Sequence, residues 1–312
     1  MRILLVNPNT SRAMTAKITD AARGVAGPDV EITAVCPSVG ASAIESHLDE
    51  IAAAAAVVEL IAADRDSPDP ADAYVVACFG DPGLDAAREL VEAPVVGIAE
   101  AAMHLAVVSG RHFGVVTTLS RTLGRAHDLV ARYGMERACV SLAATGIPVL
   151  DLEDTASAAV TTIAELSMDA AASGADVIVL GCAGMADLCA ELAARVGVPV
   201  VDGVAAAVGM ASGMVRMGLG TSKRDEYARP PREVAGRGGA EDGQGASSSL
   251  VAHGPGVLAG HGASAAPLVP DLGASNAHRP SSRVVVGGPG ATPGAPGPLA
   301  PPRAETPAEA FA

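Results

Sequence analysis

The sequence predicts an α/β protein of two related lobes, each a parallel sheet flanked by helices, with a cleft between the lobes. Three observations carry this expectation. A stretch from Ala71 to Met103 recurs from Gly174 to Val208, and each copy reads strand, cysteine, turn, helix, Pro-Val-Val strand, helix. A matching opening of strand, polar loop and helix precedes each copy, beginning at Arg2 and at Phe113. The strand segments are unbroken Val/Ile/Leu runs alternating with helical segments, the pattern of parallel strands buried on both faces.

In order, Arg2–Val6 reads as a strand, broken by Asn7-Pro8-Asn9-Thr10-Ser11, of which Asn9, Thr10 and Ser11 are good N-caps for a helix over 13–25. A strand over 30–35 stops at Pro37, and an Ala-rich helix is expected over 44–63. Tyr74–Ala77 leads into Cys78; helix 84–91, strand 95–98 and helix 100–108 complete the first lobe, residues 1–109. The second lobe, residues 110–222, repeats the plan. It has strand 113–116, loop Thr117-Thr118-Leu119-Ser120, helix 121–132, strand 137–142 and helix 153–172. Strand 177–180 then precedes Cys182, followed by helix 188–196, strand 198–201 and a closing helix near 204–218 expected to pack back on the first lobe. Gly and Pro make up about a third of the residues from Pro231 onward, so residues 223–312 are expected to be a disordered tail without chemistry.

Composition removes several functions. The net charge of −14 opposes binding to nucleic acid or an anionic membrane, whose phosphates need Lys and Arg partners. From Lys223 onward the acidic and basic residues balance, so this charge belongs to the lobes. The five cysteines are widely spaced, with no CxxC pair and no Cys/His cluster of zinc spacing, and the apolar run at the N-terminus is too short for a signal peptide. A cytoplasmic protein without bound metal is expected. No Walker loop, no G-x-G-x-x-G after a strand and no G-x-S-x-G elbow occurs. Only Lys17 and Lys223 could form a Schiff base, and neither position suits one.

Ligands of open parallel sheets bind beyond the carboxyl ends of the strands, which is where Cys78 and Cys182 fall. Two readings fit the pair. They are core thiols inherited by duplication, or they face one cleft from opposite sides. In the second case one thiolate removes a proton from a carbon and the opposite thiol returns one to the other face, aided by turn N–H groups that hold the enolate oxygen. The residues alone leave both readings standing, together with a non-catalytic two-lobed binding protein. Cys36, Cys139 and Cys189 read as structural, His47 and His104 as surface or satisfied histidines, and Asp81 as the cap of the helix that follows it.

MRILLVNPNTS, ACFGDPGLDAARE from Ala77, PVVGIAEAA from Pro94, GCAGM from Gly181 and TSKR-x-x-Y from Thr221 together resemble the Asp/Glu/hydantoin racemase family, most of all its hydantoin and allantoin racemase branch. The resemblance spans Met1 to Tyr227. It implies two lobes related by pseudo-two-fold symmetry, a homo-oligomer, a small-molecule substrate and a two-base mechanism that needs no cofactor, with Cys78 and Cys182 catalytic. It also implies substrate-binding loops at Asn9, Thr117 and Thr118, and backbone amides at Phe79, Gly80, Ala183 and Gly184. Branches acting on free aspartate or glutamate carry Cys-Asn-Thr at the first cysteine and a His close after the second. Cys78-Phe79-Gly80 and Cys182-Ala183-Gly184 depart from this and favour a neutral ring, a 5-monosubstituted hydantoin or allantoin. Relatives that decarboxylate or isomerise small dicarboxylates use the two positions differently, and one drops a cysteine. Ser46 and His47 depart from the branch's small-plus-aromatic pattern, so the substituent pocket is expected to differ.

Overall fold

A computed structural model describes residues 1–152, 156–231 and 283–286. The first sheet has the order β2-β1-β3-β4, from β1 (Arg2–Val6), β2 (Glu31–Val35), β3 (Ala73–Val76) and β4 (Val95–Gly97), all parallel. The second contains β5 (Phe113–Thr117), β6 (Cys139–Ala144), β7 (Val177–Leu180) and β8 (Val200–Asp202) in the order β6-β5-β7-β8, again parallel. Each sheet therefore places its second strand outside its first and its third and fourth on the other side. The internal repeat extends to topology and to register, since Val6 pairs with Val76 as Val116 pairs with Leu180.

The strands are apolar on both faces because both faces are covered. Ile3 and Leu5 of β1, with Ala73 and Val75 of β3, pack under α1 (Arg12–Val25) and α8 (Gly203–Arg216). Leu4, Val6, Tyr74 and Val76 face α2 (His47–Arg65) and α3 (Leu84–Leu90). In the second sheet Phe113, Val115, Val177 and Val179 pack under α4 (Ile98–Ser109) and α5 (Leu123–Arg132). Ile178 and Leu180 face α6 (Ala156–Ala172) and α7 (Cys189–Val196). Each such Val, Leu, Ile or Phe side chain removed from water contributes about 1.5–3 kcal/mol. The two closing helices are exchanged. Ala99, Ala102, Met103 and Ala106 of α4, the last helix of the first repeat, lie in the second lobe's core, and Val204, Ala207, Val208 and Ala211 of α8 lie in the first's. A cut at residue 109 or 110 divides the sequence repeat, while each lobe in space borrows its last helix from the other.

Local signals set the helix ends. Ser11 caps α1 through the Met14 N–H, and α1 buries Met14, Ile18 and Ala22 at four-residue spacing. Ser46 caps α2 through the Asp49 N–H, so this helix starts at His47 rather than at residue 44 and leaves Ile44 and Glu45 in the preceding loop. Asp202 caps α8, accepting from the Val204 and Ala205 N–H groups at 3.1 and 2.8 Å. Asp202→Ala should lower stability by about 1–2 kcal/mol, the usual worth of a cap at a buried helix start, read as a lower Tm.

Of the expected tail, residues 223–231 belong to the described structure and lie against α3. Lys223 donates to the Arg88 and Glu89 carbonyls that end α3, and the Tyr227 hydroxyl bonds Asp85 at 3.2 Å beneath the Arg88 guanidinium. A short strand, β9 (Arg283–Val286), pairs in parallel with β6, so the second sheet has five strands, a pairing that the Gly/Pro-rich composition around it concealed. The remainder of the expected tail lies outside the described residues. Among the described residues no helix is long and apolar enough to cross a membrane.

Candidate active site

Cys78 stands two residues beyond the end of β3, and Cys182 two residues beyond the end of β7. The strand ends are held alike, Ala77 N–H to Val6 O and Gly181 N–H to Val116 O, at 2.9 and 2.8 Å. The duplicated strands thus project both thiols into one cleft of ≈ 60 Å³ between the lobes. Asn9, Phe79, Gly80, Thr117, Thr118 and Ala183 line it with them. Gly184 stands just behind, its N–H 3.4 Å from Cys182 Sγ. All nine residues singled out in the sequence are therefore gathered at one site.

The first loop is fixed by a local amide network. Asn7 Nδ2 donates to Asn9 Oδ1 at 2.9 Å and to Thr15 Oγ1 at 2.9 Å, and the Ser11 N–H donates to Asn9 Oδ1 at 2.9 Å. Asn9 is held with its own Nδ2 against Met14 Sδ at the cleft wall. In the second lobe Thr117 Oγ1 donates to Gly181 O at 3.0 Å, fastening the residue before Cys182 to β5. The Thr118 carbonyl accepts from Gly146 N–H and Thr145 Oγ1 at 2.7 and 3.1 Å, which braces its loop.

Burial dominates the electrostatics of both thiols. It pushes Cys78 up to about 11; the Gly80 N–H and the Arg125 charge pull down, while Asp81 and Glu50 push up. Burial pushes Cys182 up to about 12; the Gly184 N–H and Lys17 pull down, while Cys78 and Glu45 push up. Each thiol is thus neutral at rest and a strong base once ionised. The aid expected from helix N-termini is uneven. Cys182 itself caps a 3-10 turn over Ala183–Leu188, whereas α3 begins only at Leu84, six residues beyond Cys78, after Gly83 in a left-handed conformation.

Asp81 does not cap the helix that follows it. Its φ of 44° lies in the left-handed region, and its buried carboxylate turns away to α4. There it accepts from the Ala99 and Glu100 N–H groups at 3.1 and 2.9 Å and from the Tyr133 hydroxyl at 2.6 Å. Burial pushes its carboxyl up to about 6 despite these donors. The Asp81 N–H in turn bonds the Cys78 carbonyl at 2.9 Å, tying the cysteine turn to the start of α4.

His47 is 87% exposed at its side chain, near Glu50 at 3.8 Å, and His104 bonds the Glu100 carbonyl one turn back on α4. Neither lines the cleft. Cys139 is buried with its Sγ 3.5 Å from Ser141 O, and Cys36 and Cys189 are half-buried at element ends. Sequence reasoning missed Met14, Ile44, Val149 and Arg125 in the cleft wall. Met14 and Arg125 had a readable signal, since each lies on the helix after a loop already assigned to the site. Ile44 and Val149 had none, because they arrive from irregular segments. Among the described residues no group of three His, Cys, Asp or Glu side chains is placed to hold a metal ion.

The family model described as Asp/Glu/Hydantoin racemase matches residues 3–211. A hydantoin racemase of Rhizobium meliloti is 43% identical over 237 residues, 75% of this chain and 97% of the relative. An allantoin racemase structure from Klebsiella pneumoniae superposes with a TM-score of 0.72 at 49% identity, covering 75% of this chain and 95% of that one. An allantoin racemase from Pseudomonas fluorescens gives the same TM-score at 41% identity, covering 75% and 98%.

Proposed function

We propose, from the premise that this chain belongs to the Asp/Glu/hydantoin racemase family and is a racemase, that it inverts C5 of 5-monosubstituted hydantoins or allantoin by proton transfer between Cys78 and Cys182. The observation that carries the reading is the pair of thiols, one from each lobe, lining a single cleft. A thiolate on one face takes the C5 proton, and the electron pair left on carbon delocalises onto the adjacent ring carbonyl oxygen. The opposite thiol then delivers its proton to the other face of C5, so one thiolate is consumed and one formed. No electrons are exchanged. The C4 carbonyl beside C5 acidifies its proton, which matches a base whose own proton affinity burial has raised.

Oriented N–H groups support the intermediate. Those of Gly80 and Gly184 are already directed at the thiols, and Phe79 and Ala183 are the neighbouring amides of the same turns. A neutral ring suits the walls better than a free acidic amino acid. Met14, Ile44, Ala126 and Val149 are apolar, and the cation that reaches the cleft, Arg125, is paired with Glu50 at 2.9 Å. A carboxylate entering there would have to displace Glu50 or remain unpaired, at a cost of several kcal/mol.

The test is to follow the optical rotation of an enantiopure 5-substituted hydantoin and of allantoin, with deuterium uptake at C5 in D₂O. Rotation should decay to zero with solvent deuterium incorporated at C5, at a rate proportional to enzyme. Free L-glutamate should be left unchanged. No loss of rotation beyond the uncatalysed rate with either ring would remove the reading.

A further inference from the structure

Two side chains outside the reaction itself stand in a crossed relation to the two cysteine turns. Arg125 is on α5, packed in the second lobe, yet its guanidinium lies flat on the turn after Cys78 in the first lobe. The fit is close: a Cβ added to Gly80 would lie 2.7 Å from Arg125 Nη2 and 2.8 Å from Cζ, so only glycine admits the guanidinium there. Lys17 is on α1, packed in the first lobe, yet its Nζ donates at 2.8 Å to the Gly184 carbonyl in the turn after Cys182. Each cation also meets a carboxylate of the lobe it reaches into. Arg125 pairs with Glu50 of α2 at 2.9 Å, and Lys17 with Asp187, in the 3-10 turn after Cys182, at 3.1 Å. α1 and α5 are equivalent helices of the repeat, so the arrangement is reciprocal.

We infer that Arg125 and Lys17 are paired positioning residues that work across the cleft, each holding the opposite lobe's cysteine turn and supplying the positive field under which its thiolate forms. The inference rests on the proposed two-thiol chemistry for its purpose but on separate residues for its geometry. The peptide after each cysteine already turns an N–H toward the sulfur, at Gly80 and at Gly184. The cation fixes that same glycine, from the Cα side at Gly80 and through the carbonyl at Gly184. Positive charge near a buried thiol opposes the burial that keeps it protonated, and the two charges act in that direction on their respective sulfurs. The groups acting against them are Asp81 and Glu50 at Cys78, and Cys78 and Glu45 at Cys182. Because each cation belongs to the opposite lobe, separating the lobes would withdraw both fields together. Thiolate formation is thereby tied to the closed cleft.

The test is the pH dependence of iodoacetamide alkylation, read for the Cys78 and Cys182 peptides separately by mass spectrometry on the full chain. Arg125→Gln should slow alkylation of Cys78 about three- to ten-fold near neutral pH and leave Cys182 within about two-fold. Lys17→Gln should do the reverse, and Arg125→Lys and Lys17→Arg should restore most of each rate. Glu50→Gln, which frees Arg125, should speed Cys78 alone. This last variant reads the same field with the opposite sign, so a folding defect cannot imitate it. An uncrossed pattern, with both peptides slowed alike, or no effect of Glu50→Gln, overturns the inference. The outcomes separate from those of the proposed reaction. Racemisation without crossed alkylation removes only the cation roles, and crossed alkylation without racemisation removes only the reaction.

Discussion

Replacing either Cys78 or Cys182 by serine should reduce racemisation about 10²–10⁴-fold, the usual loss when a positioned general acid or base is removed. Serine keeps the size and a hydroxyl donor, but its alkoxide does not form at any working pH. The two variants should differ in what they retain. An enzyme left with one competent thiol can still remove and return the C5 proton on a single face. Cys78→Ser should therefore exchange C5 deuterium into one enantiomer without inverting it, and Cys182→Ser into the other. Proton NMR of each enantiopure ring in D₂O reads this directly. Exchange into both enantiomers by one variant, or full racemisation by the double variant, would show that the thiols are not the opposed pair. The pH profile of the unaltered enzyme carries the same assignment. Burial pushes the thiols up to about 11 and about 12, so the thiolate fraction grows with pH through the neutral range. kcat/KM should then climb steeply, approaching about tenfold per pH unit, before bending in the alkaline range as ionisation of the second thiol removes the acid. A flat profile between pH 6 and 8 would mean that some group other than a raised thiol limits the reaction.

The fold was legible because its signals are local and occur twice. Continuous Val/Ile/Leu strands, the cap at Ser11 and a cysteine just past equivalent strand ends needed no tertiary information. The cleft position of Cys78, Cys182 and the loops at Asn9 and Thr117-Thr118 was legible for the same reason, since loops after parallel strands must meet at one sheet edge, whereas Phe79, Gly80, Ala183 and Gly184 came from the family resemblance. Contacts made at long range were not legible. Val149 donates to Glu45 across 104 residues, Lys17 reaches Gly184 across 167, and the packing of α4 on the second lobe depends on how the lobes meet. No periodicity in the chain encodes these distances. Asp81 shows the limit most clearly. A carboxylate three residues after Cys78 and before a helix has the spacing of a local cap, and the left-handed backbone at that residue sends it elsewhere.

That redirection makes Gly97→Ala the variant with the largest expected effect on stability. Gly97 and Asp202 are equivalent residues of the repeat, each following its Pro-Val-Val run and preceding a closing helix. Asp202 caps α8 with its own side chain, whereas Gly97 has none and α4 is capped by Asp81 from the cysteine turn. The glycine makes room for this: a Cβ at residue 97 would lie 2.3 Å from Asp81 Cγ and within 2.5 Å of both carboxylate oxygens. Alanine must therefore expel the carboxylate, leaving the buried Ala99 N–H, the part-buried Glu100 N–H and the Tyr133 hydroxyl without their acceptor. Overpacking adds to the lost cap, and the sum is about 3–4 kcal/mol, or a Tm lower by about 6–15 °C for a chain of this size. Activity should fall further than stability explains, because the Asp81 N–H that closes on the Cys78 carbonyl moves with its side chain. A double exchange separates the two effects. Asp81→Ser with Gly97→Asp moves the cap to where the second lobe keeps it. It should recover most of the Tm lost by Asp81→Ser alone, while kcat stays low because the Cys78 turn is no longer anchored to α4. Recovery of kcat along with Tm would mean that the carboxylate serves helix stability and has no part in placing the thiol.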